Sequence, residues 1–396
     1  MAIILFDDDA RNTLLPLTYT RPVADLRIGI ITIAQKWATH LKLGYSFLTE
    51  AYLQAKFPLR IEDRNLFING SVCPDDALIE AIAALHGSEA LLKDGLLIAI
   101  KLNEWDAKEF KANDFSKYKP ISYTGTFISL KYPEDIFKNN AAEIAKDFKL
   151  LTKGRESAVL SSTNTFIGDN FFAEEGAEAE CSTFNSKLGP IYLAKNTEVW
   201  EGTNIRGSFA LCNNSQVKMG TKVYGGTTVG PYCRIGGEVN NAVLWGYSAK
   251  GHEGYLGNSV LGEWCNLGAD TNNSNLKNNY AEVKLWDYPT GHFRKTGLQF
   301  CGLIMGDHSK TGINTMFNTG TVVGVSANVF GAGYPHNFIP DFTWGGPQGF
   351  VEYSLKKAFE TNAKVFERRE HCEFNQVEQD ILTNVFELTK PYRSIF

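Results

Sequence analysis

From Leu193 onward an aliphatic side chain returns every sixth residue: Leu193, Val199, Ile205, Leu211, Val217, Val223, Val229 and Ile235. A period of six fits neither the 3.6 residues of an α-helical turn nor the alternation of a strand. Eight unbroken returns, with glycine and small polar residues between them, are the signature of a hexapeptide β-helix. Each hexapeptide makes one flat side of a coil, its aliphatic side chain turns inward, and successive coils stack. The phase resets near Asn241, then returns with Leu261 and Leu267, and again with Val323 and Val329. Residues 160–346 are therefore expected to form a left-handed parallel β-helix.

One segment departs from the repeat. In "YAEVKLWDYPTGHFRKTGLQF", residues 280–300, two apolar-rich arms flank the turn signal Pro289-Thr290-Gly291. This predicts a hairpin inserted into the coil stack. Beyond it, within a C-terminal segment 350–396, residues 352–371 and 375–389 have helical spacing. They would cover the last coil, which otherwise leaves an open edge.

Residues 1–155 follow another rule. "AIILF", "NLFING" and "DGLLIAIKL" read as buried strands. "IGIITIAQKWATHL", "CPDDALIEAIAAL" and "YPEDIFKNNAAEIAKDF" read as helices, with Asp75 and Asp76 suited to a first helical turn. Strands alternating with helices predict an α/β, Rossmann-like domain with a mainly parallel sheet. The chain is 43% hydrophobic and 21% charged, with a formal net charge of −5. That balance is ordinary for a soluble protein and argues against nucleic acid as a partner. No apolar run approaches the roughly 18 residues of a membrane span, and the start lacks the basic region of a secretion signal. Seven cysteines without CxxC pairs suit a reducing, cytoplasmic setting.

The stretch "EVNNAVLWGYSAKGHEGYLGNSVLGEWCNLGADTNNSNLKNNY", residues 238–280, resembles a known active site. It is similar to that of the bacterial bifunctional family that pairs an N-acetylglucosamine-1-phosphate uridyltransferase with a glucosamine-1-phosphate acetyltransferase. The family's spacing falls here on Glu238, His252, Tyr255-Leu256-Gly257, Asn266-Leu267-Gly268-Ala269 and Asn275. The resemblance implies His252 as general base and Glu238 as the group that orients its ring. A histidine of pKa about 6.5 can take the proton of an attacking amine at neutral pH. Tyr255, Asn266 and Asn275 would contact the sugar phosphate, and Ala269 would leave room for the acetyl-coenzyme A arm. Arg234 and Lys250 are the nearest cations for the phosphate, while a second arginine of the family is Gly236 here. Enzymes of this architecture are homotrimers, which is the assembly expected. His292 and His308 read as solvated and structural residues, and no histidine has the paired spacing of a metal site.

The same resemblance implies a nucleotidyltransferase in residues 1–155. Such domains cradle a triphosphate on a glycine-rich loop after the first strand. Here Asp7, Asp8 and Asp9 follow that strand, and the next glycine is Gly29. "LTYTRPVADLR" is similar to the opening of a divergent sugar nucleotidyltransferase branch, and its Arg21 and Arg27, with Asn69, are the candidate nucleotide-binding residues, the arginines as phosphate contacts. Asn69 stands where the family has a Mg²⁺-binding aspartate, so the metal ligands are left open, with Asp7 and Asp8 as candidates. Taken together, the expected activities are acetyl transfer from acetyl-coenzyme A to glucosamine-1-phosphate, and Mg²⁺-dependent transfer of a nucleotidyl group such as UMP from a nucleoside triphosphate to a sugar 1-phosphate. Two alternatives stand: nucleotidyl transfer alone, with the β-helix serving oligomerisation, or a non-catalytic sugar-nucleotide scaffold.

Overall fold

The computed structural model describes residues 2–369 and 371–393. Residue 370 and residues 394–396 of the C-terminal segment lie outside it. Two compact units emerge: Met1–Leu26 with Ile31–Asp135, and Arg27–Ile30 with Ile136–Phe396.

The first unit runs β1 (Ala2–Phe6), α1 (Ala10–Thr13), α2 (Ile33–Leu41), β2 (Tyr45–Leu48), β3 (Arg64–Asn69), α3 (Asp76–Ala83), β4 (Glu89–Lys93), β5 (Leu96–Asn103), α4 (Glu104–Lys108) and β6 (Lys119–Ser122). The six strands form one sheet, ordered β2-β1-β3-β5-β4-β6. Ile3, Ile4, Leu5 and Phe6 are buried, as an inner strand covered on both faces requires. α2 starts on a capping box between Thr32 and Gln35, and α3 on Asp75, whose side chain accepts the Leu78 N–H at 2.8 Å.

The sheet is mixed rather than mainly parallel. β1 runs parallel to β2 and β3, but β5 is antiparallel to both β3 and β4. The cause is local. Asp94 and Gly95 adopt φ of 50° and 83°, the two-residue turn that joins antiparallel strands. The apolar run read as a single strand is the second arm of a hairpin whose first arm is β4.

The second unit is a parallel β-solenoid with three faces. The first face stacks Thr183–Asn185, Asn204–Arg206, Lys222–Tyr224 and the start of Glu238–Gly246. The second stacks Ile191–Leu193, Phe209–Leu211 and Thr227–Val229, and continues to Phe338–Ile339. The third stacks Glu198–Val199, Gln216–Val217, Arg234–Ile235 and Ala249–Lys250. All eight aliphatics of the six-residue series are at most 2% exposed, so they are the solenoid core. The phase reset has a plain origin. Gln216 pairs with Arg234, and Arg234 with Ala249, so consecutive coils advance 18 and then 15 residues. In the shorter coil Glu238–Gly246 runs through what is elsewhere a turn between two faces.

At one corner the coils pass repeatedly through left-handed backbone. Asn196, Asn214, Tyr232, Tyr247, Trp264, His308, Ser326 and Phe342 have φ between 51° and 63°. Asparagine tolerates that region, whereas bulky residues seldom adopt it. Here the aromatic rings recover the difference by stacking: Tyr232 on Tyr247 at 5.0 Å and Tyr247 on Trp264 at 4.1 Å between centroids. The coil between Asn266 and Lys310 carries the inserted hairpin, Lys284–Asp287 against His292–Lys295. The last coil is edged by an antiparallel strand, Gly349–Glu352, that the sequence reading did not include.

Four helices belong wholly or mostly to this unit. α5 (Glu134–Thr152) is fastened by Asn140, which donates to the Gly226 carbonyl at 2.8 Å and accepts the Gly29 N–H at 2.7 Å. α6 (Leu355–Phe366), α7 (Gln376–Leu388) and α8 (Lys390–Arg393) follow the last coil. Phe366 of α6 extends the aromatic stack, its ring 3.9 Å from that of Trp264. Among the described residues no helix is long and apolar enough to cross a membrane, and no disulfide joins the cysteines, five of which are buried.

Candidate active sites

In the first unit a cavity of about 840 Å³ opens beyond the C-terminal ends of β1 and β3. Asp7, Asp8, Asp9, Arg11, Asn69 and Lys131 line it. Open α/β sheets place their ligands at this end of the strands. Arg11 is the hub. It is 5% exposed, and its guanidinium donates to Asp7 at 2.9 Å, to the Arg21 carbonyl at 3.0 Å and to the Thr18 carbonyl at 2.6 Å. Asp7 also accepts from the Val23 N–H at 2.8 Å and the Thr49 hydroxyl at 2.5 Å. Burial raises the pKa of Asp7 above the usual carboxylate range, against the opposing pull of Arg11 and these donors. Asp7 thus fastens the loop, while Asp8 and Asp9 remain toward the cavity.

Asp8 explains the missing glycines. Its carboxylate accepts the Ala10 N–H at 3.0 Å and the Asn69 amide at 2.7 Å. A side-chain carboxylate thereby takes a backbone donor that a glycine-rich loop would offer to a phosphate. Of the three residues read as nucleotide-binding, Asn69 lines the cavity. Arg21 is buried beside Asp25, 3.2 Å away. Arg27 belongs to the second unit, where it donates to the carbonyls of Trp245 at 3.2 Å and Ile30 at 2.5 Å. The sequence reading missed Arg11, although its signal is present: an arginine four residues after Asp7 on a helical start.

In the second unit the residues singled out by resemblance divide among three places. Glu238, Tyr255 and Asn275 gather on the first face. Glu238 lies in register with Tyr255, whose hydroxyl accepts from Asn275 at 2.9 Å. Burial raises the Tyr255 pKa, opposed by hydrogen bonds from Asn240 and Asn275. Arg234 and Asn266 stand on the third face. His252 and Ala269 occupy the turns that lead from the third face to the first. His252 is exposed, and no hydrogen bond joins it to Glu238 within the chain.

The glycines around His252 do different work. Gly251 has open space where a side chain would go. Gly254 has a φ of 114°, and a Cβ there would sit 2.2 Å from the Thr271 carbonyl oxygen. It lets one coil pass close to the next just before Tyr255.

Lys250 turns inward, not toward a ligand. It sits in register with Ile235, is 1% exposed, and donates to the carbonyls of Gly236 at 3.0 Å and His252 at 2.7 Å. Burial pushes its pKa down to about 8. Its position in the inward series, where the repeat wants an aliphatic residue, removes it from the phosphate-binding set and makes it a brace for the His252 turn. Among the described residues no three His, Cys, Asp or Glu side chains converge as a metal-binding group.

Residues 3–156 match the family model described as sugar nucleotidyl transferase. A comparison with curated proteins gives no match. The matched residues 3–156 contain the whole lining of the β1–β3 cavity, and the solenoid lies beyond them.

Proposed function

We propose that the β1–β3 cavity transfers a nucleotidyl group from a nucleoside triphosphate to a sugar 1-phosphate. The carrying observation is that this cavity, at the strand ends where α/β folds bind ligands, falls within the sugar nucleotidyl transferase region. The sugar phosphate oxygen attacks the α-phosphorus and pyrophosphate leaves, a reaction governed by positioning and charge neutralisation. Asp8 and Asp9 fit a Mg²⁺ ion, which is usually bound through one or two carboxylates plus substrate phosphates and would neutralise phosphate charge. Asn69 holds the Asp8 carboxylate in place, and Arg11 holds the loop that presents it. The test is pyrophosphate release from UTP with N-acetylglucosamine-1-phosphate and related acceptors. Asp8→Asn is expected to lower kcat about 100-fold or more. Full turnover in that variant would remove Asp8 from the mechanism. No turnover with any triphosphate would favour the scaffold reading.

A second activity, acetyl transfer from acetyl-coenzyme A to an amino-sugar phosphate such as glucosamine-1-phosphate, is favoured by the solenoid itself. Glu238, Tyr255 and Asn275 converge on one face, and the exposed His252 sits on the adjoining turn. His252 takes the amine proton as the nitrogen attacks the thioester carbonyl. Its outward position suits a site completed by a neighbouring copy in a homotrimer, with the partner helping to orient the ring alongside Glu238. Thiol release should collapse in His252→Ala. A chain that is monomeric by light scattering at micromolar concentration would refute the shared site and favour nucleotidyl transfer alone; the cytoplasm is the proposed setting for either activity.

A further inference from the structure

The third face of the solenoid holds a second concentration of charge. Arg234, Ala249, Asn266 and Lys310 stand in one outward column, paired from coil to coil. The segment leaving α6 brings Arg368 and Arg369 opposite that column. A cavity of about 380 Å³ lies between them, with the aromatic pair Tyr247 and Trp264 along its side. All of this lies within the second unit.

Four cations line the cavity, and among the described residues no acidic side chain does. Among the described residues none of Arg234, Lys310, Arg368 and Arg369 is in an ion pair with a carboxylate. The side chain of Lys310 donates to the His308 carbonyl at 2.7 Å, and that of Arg369 to the Tyr232 carbonyl at 3.3 Å. Carbonyl dipoles satisfy hydrogen-bonding needs but do not cancel a full charge. The charges also act on one another. Burial and then the repulsion of Arg234 lower the pKa of Arg369, and burial pushes Lys310 down to about 8. Packing α6 against the solenoid does not require this arrangement, because the aromatic stack to Phe366 already supplies apolar contact.

We infer that this cavity binds a phosphate-bearing anion of the phosphate-monoester or diphosphate class, clasped between the third face and the end of α6. Guanidinium forks match phosphate oxygens in pairs, which a single surface lysine cannot do. The volume, at the lower end of small-molecule sites, holds a diphosphate with a modest attached group. The site is on a different face from Glu238, Tyr255 and Asn275, and it stands on the cation geometry alone, independent of either proposed activity.

The test is calorimetric titration of the full chain with pyrophosphate, which is also the expected product of the first unit. Variants separate the two sources of binding. Asp8→Asn should retain the solenoid component, whereas Arg234→Gln and Arg369→Gln should each weaken it about tenfold or more. Arg368→Gln, at an exposed position, gives the same comparison without bearing on the fold. Without ligand these variants should melt no lower than the wild type, since each removes a repulsive charge, and they should lose the wild type's thermal shift with pyrophosphate. UDP and adenosine 3′,5′-bisphosphate serve as further probes. Tighter binding of either than of pyrophosphate identifies the nucleotide carried, and equal binding assigns the site to the phosphate group. Unchanged affinity and stoichiometry in all three arginine variants would overturn the inference, as would absence of wild-type binding at millimolar pyrophosphate.

Discussion

Lys250 offers a sharp test of how the solenoid tolerates an inward lysine among the coils that carry the candidate acetyl-transfer residues. Its ammonium is buried between Gly236 and His252 carbonyls, and its pKa falls to about 8. An unfolded lysine titrates at about 10.4. Between those values the unfolded chain binds the extra proton, so stability rises with pH through the window from about 8 to about 10.4. Below it both states are protonated, and burial of the charge costs about 3 kcal/mol. By pH 9.5 about 2 kcal/mol of that penalty is gone. Lys250→Met keeps the length and removes the charge, but forfeits two hydrogen bonds worth about 1 kcal/mol each. The variant should therefore be neutral or about 1 kcal/mol more stable than wild type at pH 7, and about 1 kcal/mol less stable at pH 9.5. Urea unfolding followed by tryptophan fluorescence at the two pH values measures the difference. Other titrating groups cancel in the comparison between variant and wild type. A stability difference that does not move with pH would refute the reasoning, because it would mean the lysine is solvated in the folded chain.

Arg11→Met should destabilise the first unit by about 3–5 kcal/mol in urea, because it leaves the Asp7 carboxylate enclosed without its counter-charge; a loss under about 1 kcal/mol would show that Thr49 and the Val23 N–H suffice. Gly254→Ala should lower stability by more than about 2 kcal/mol, since the backbone is left-handed and the added Cβ meets the Thr271 carbonyl. In the same variant thiol release should fall with the displaced Tyr255, and unchanged melting would refute the close passage of the two coils.

The solenoid was legible because its core is one column of aliphatics per face, and Leu193 through Ile235 report that column without needing a distant partner. The phase reset was visible but not its meaning, which depends on the 15-residue advance from Arg234 to Ala249. β4 was hidden because "EALLK" and "LLIAIKL" are one apolar stretch unless Asp94-Gly95 is taken as a hairpin turn. Lys250 was misplaced for the opposite reason: a lysine is expected outside, and only the register with Ile235 shows it inside. Glu238, Tyr255 and Asn275 could be grouped from spacing because successive coils bring them to one face. Arg234 and Asn266 share the resemblance but not the face, a distinction set by position within the coil. Arg27 could not be assigned locally at all, since its partners Trp245 and Cys212 lie some two hundred residues downstream.

The long coil that carries the inserted hairpin has a consequence for the order of assembly. Most coils close by bringing together residues 18 apart, as Lys310 and Asn328 are, but Asn266 must find Lys310 across 44. That closure costs about 0.8 kcal/mol more in chain entropy than an ordinary coil. The coils before it can therefore zip up in short steps, and the last coils join afterwards as a separate event. Arg234 and Asn266 arrive with the early group, whereas Lys310, Arg368 and Arg369 arrive with the late one. The cation-lined cavity is thus among the last features of the solenoid to form, and a chain shortened at the end of α6 would keep every hexapeptide coil while lacking the wall that closes it.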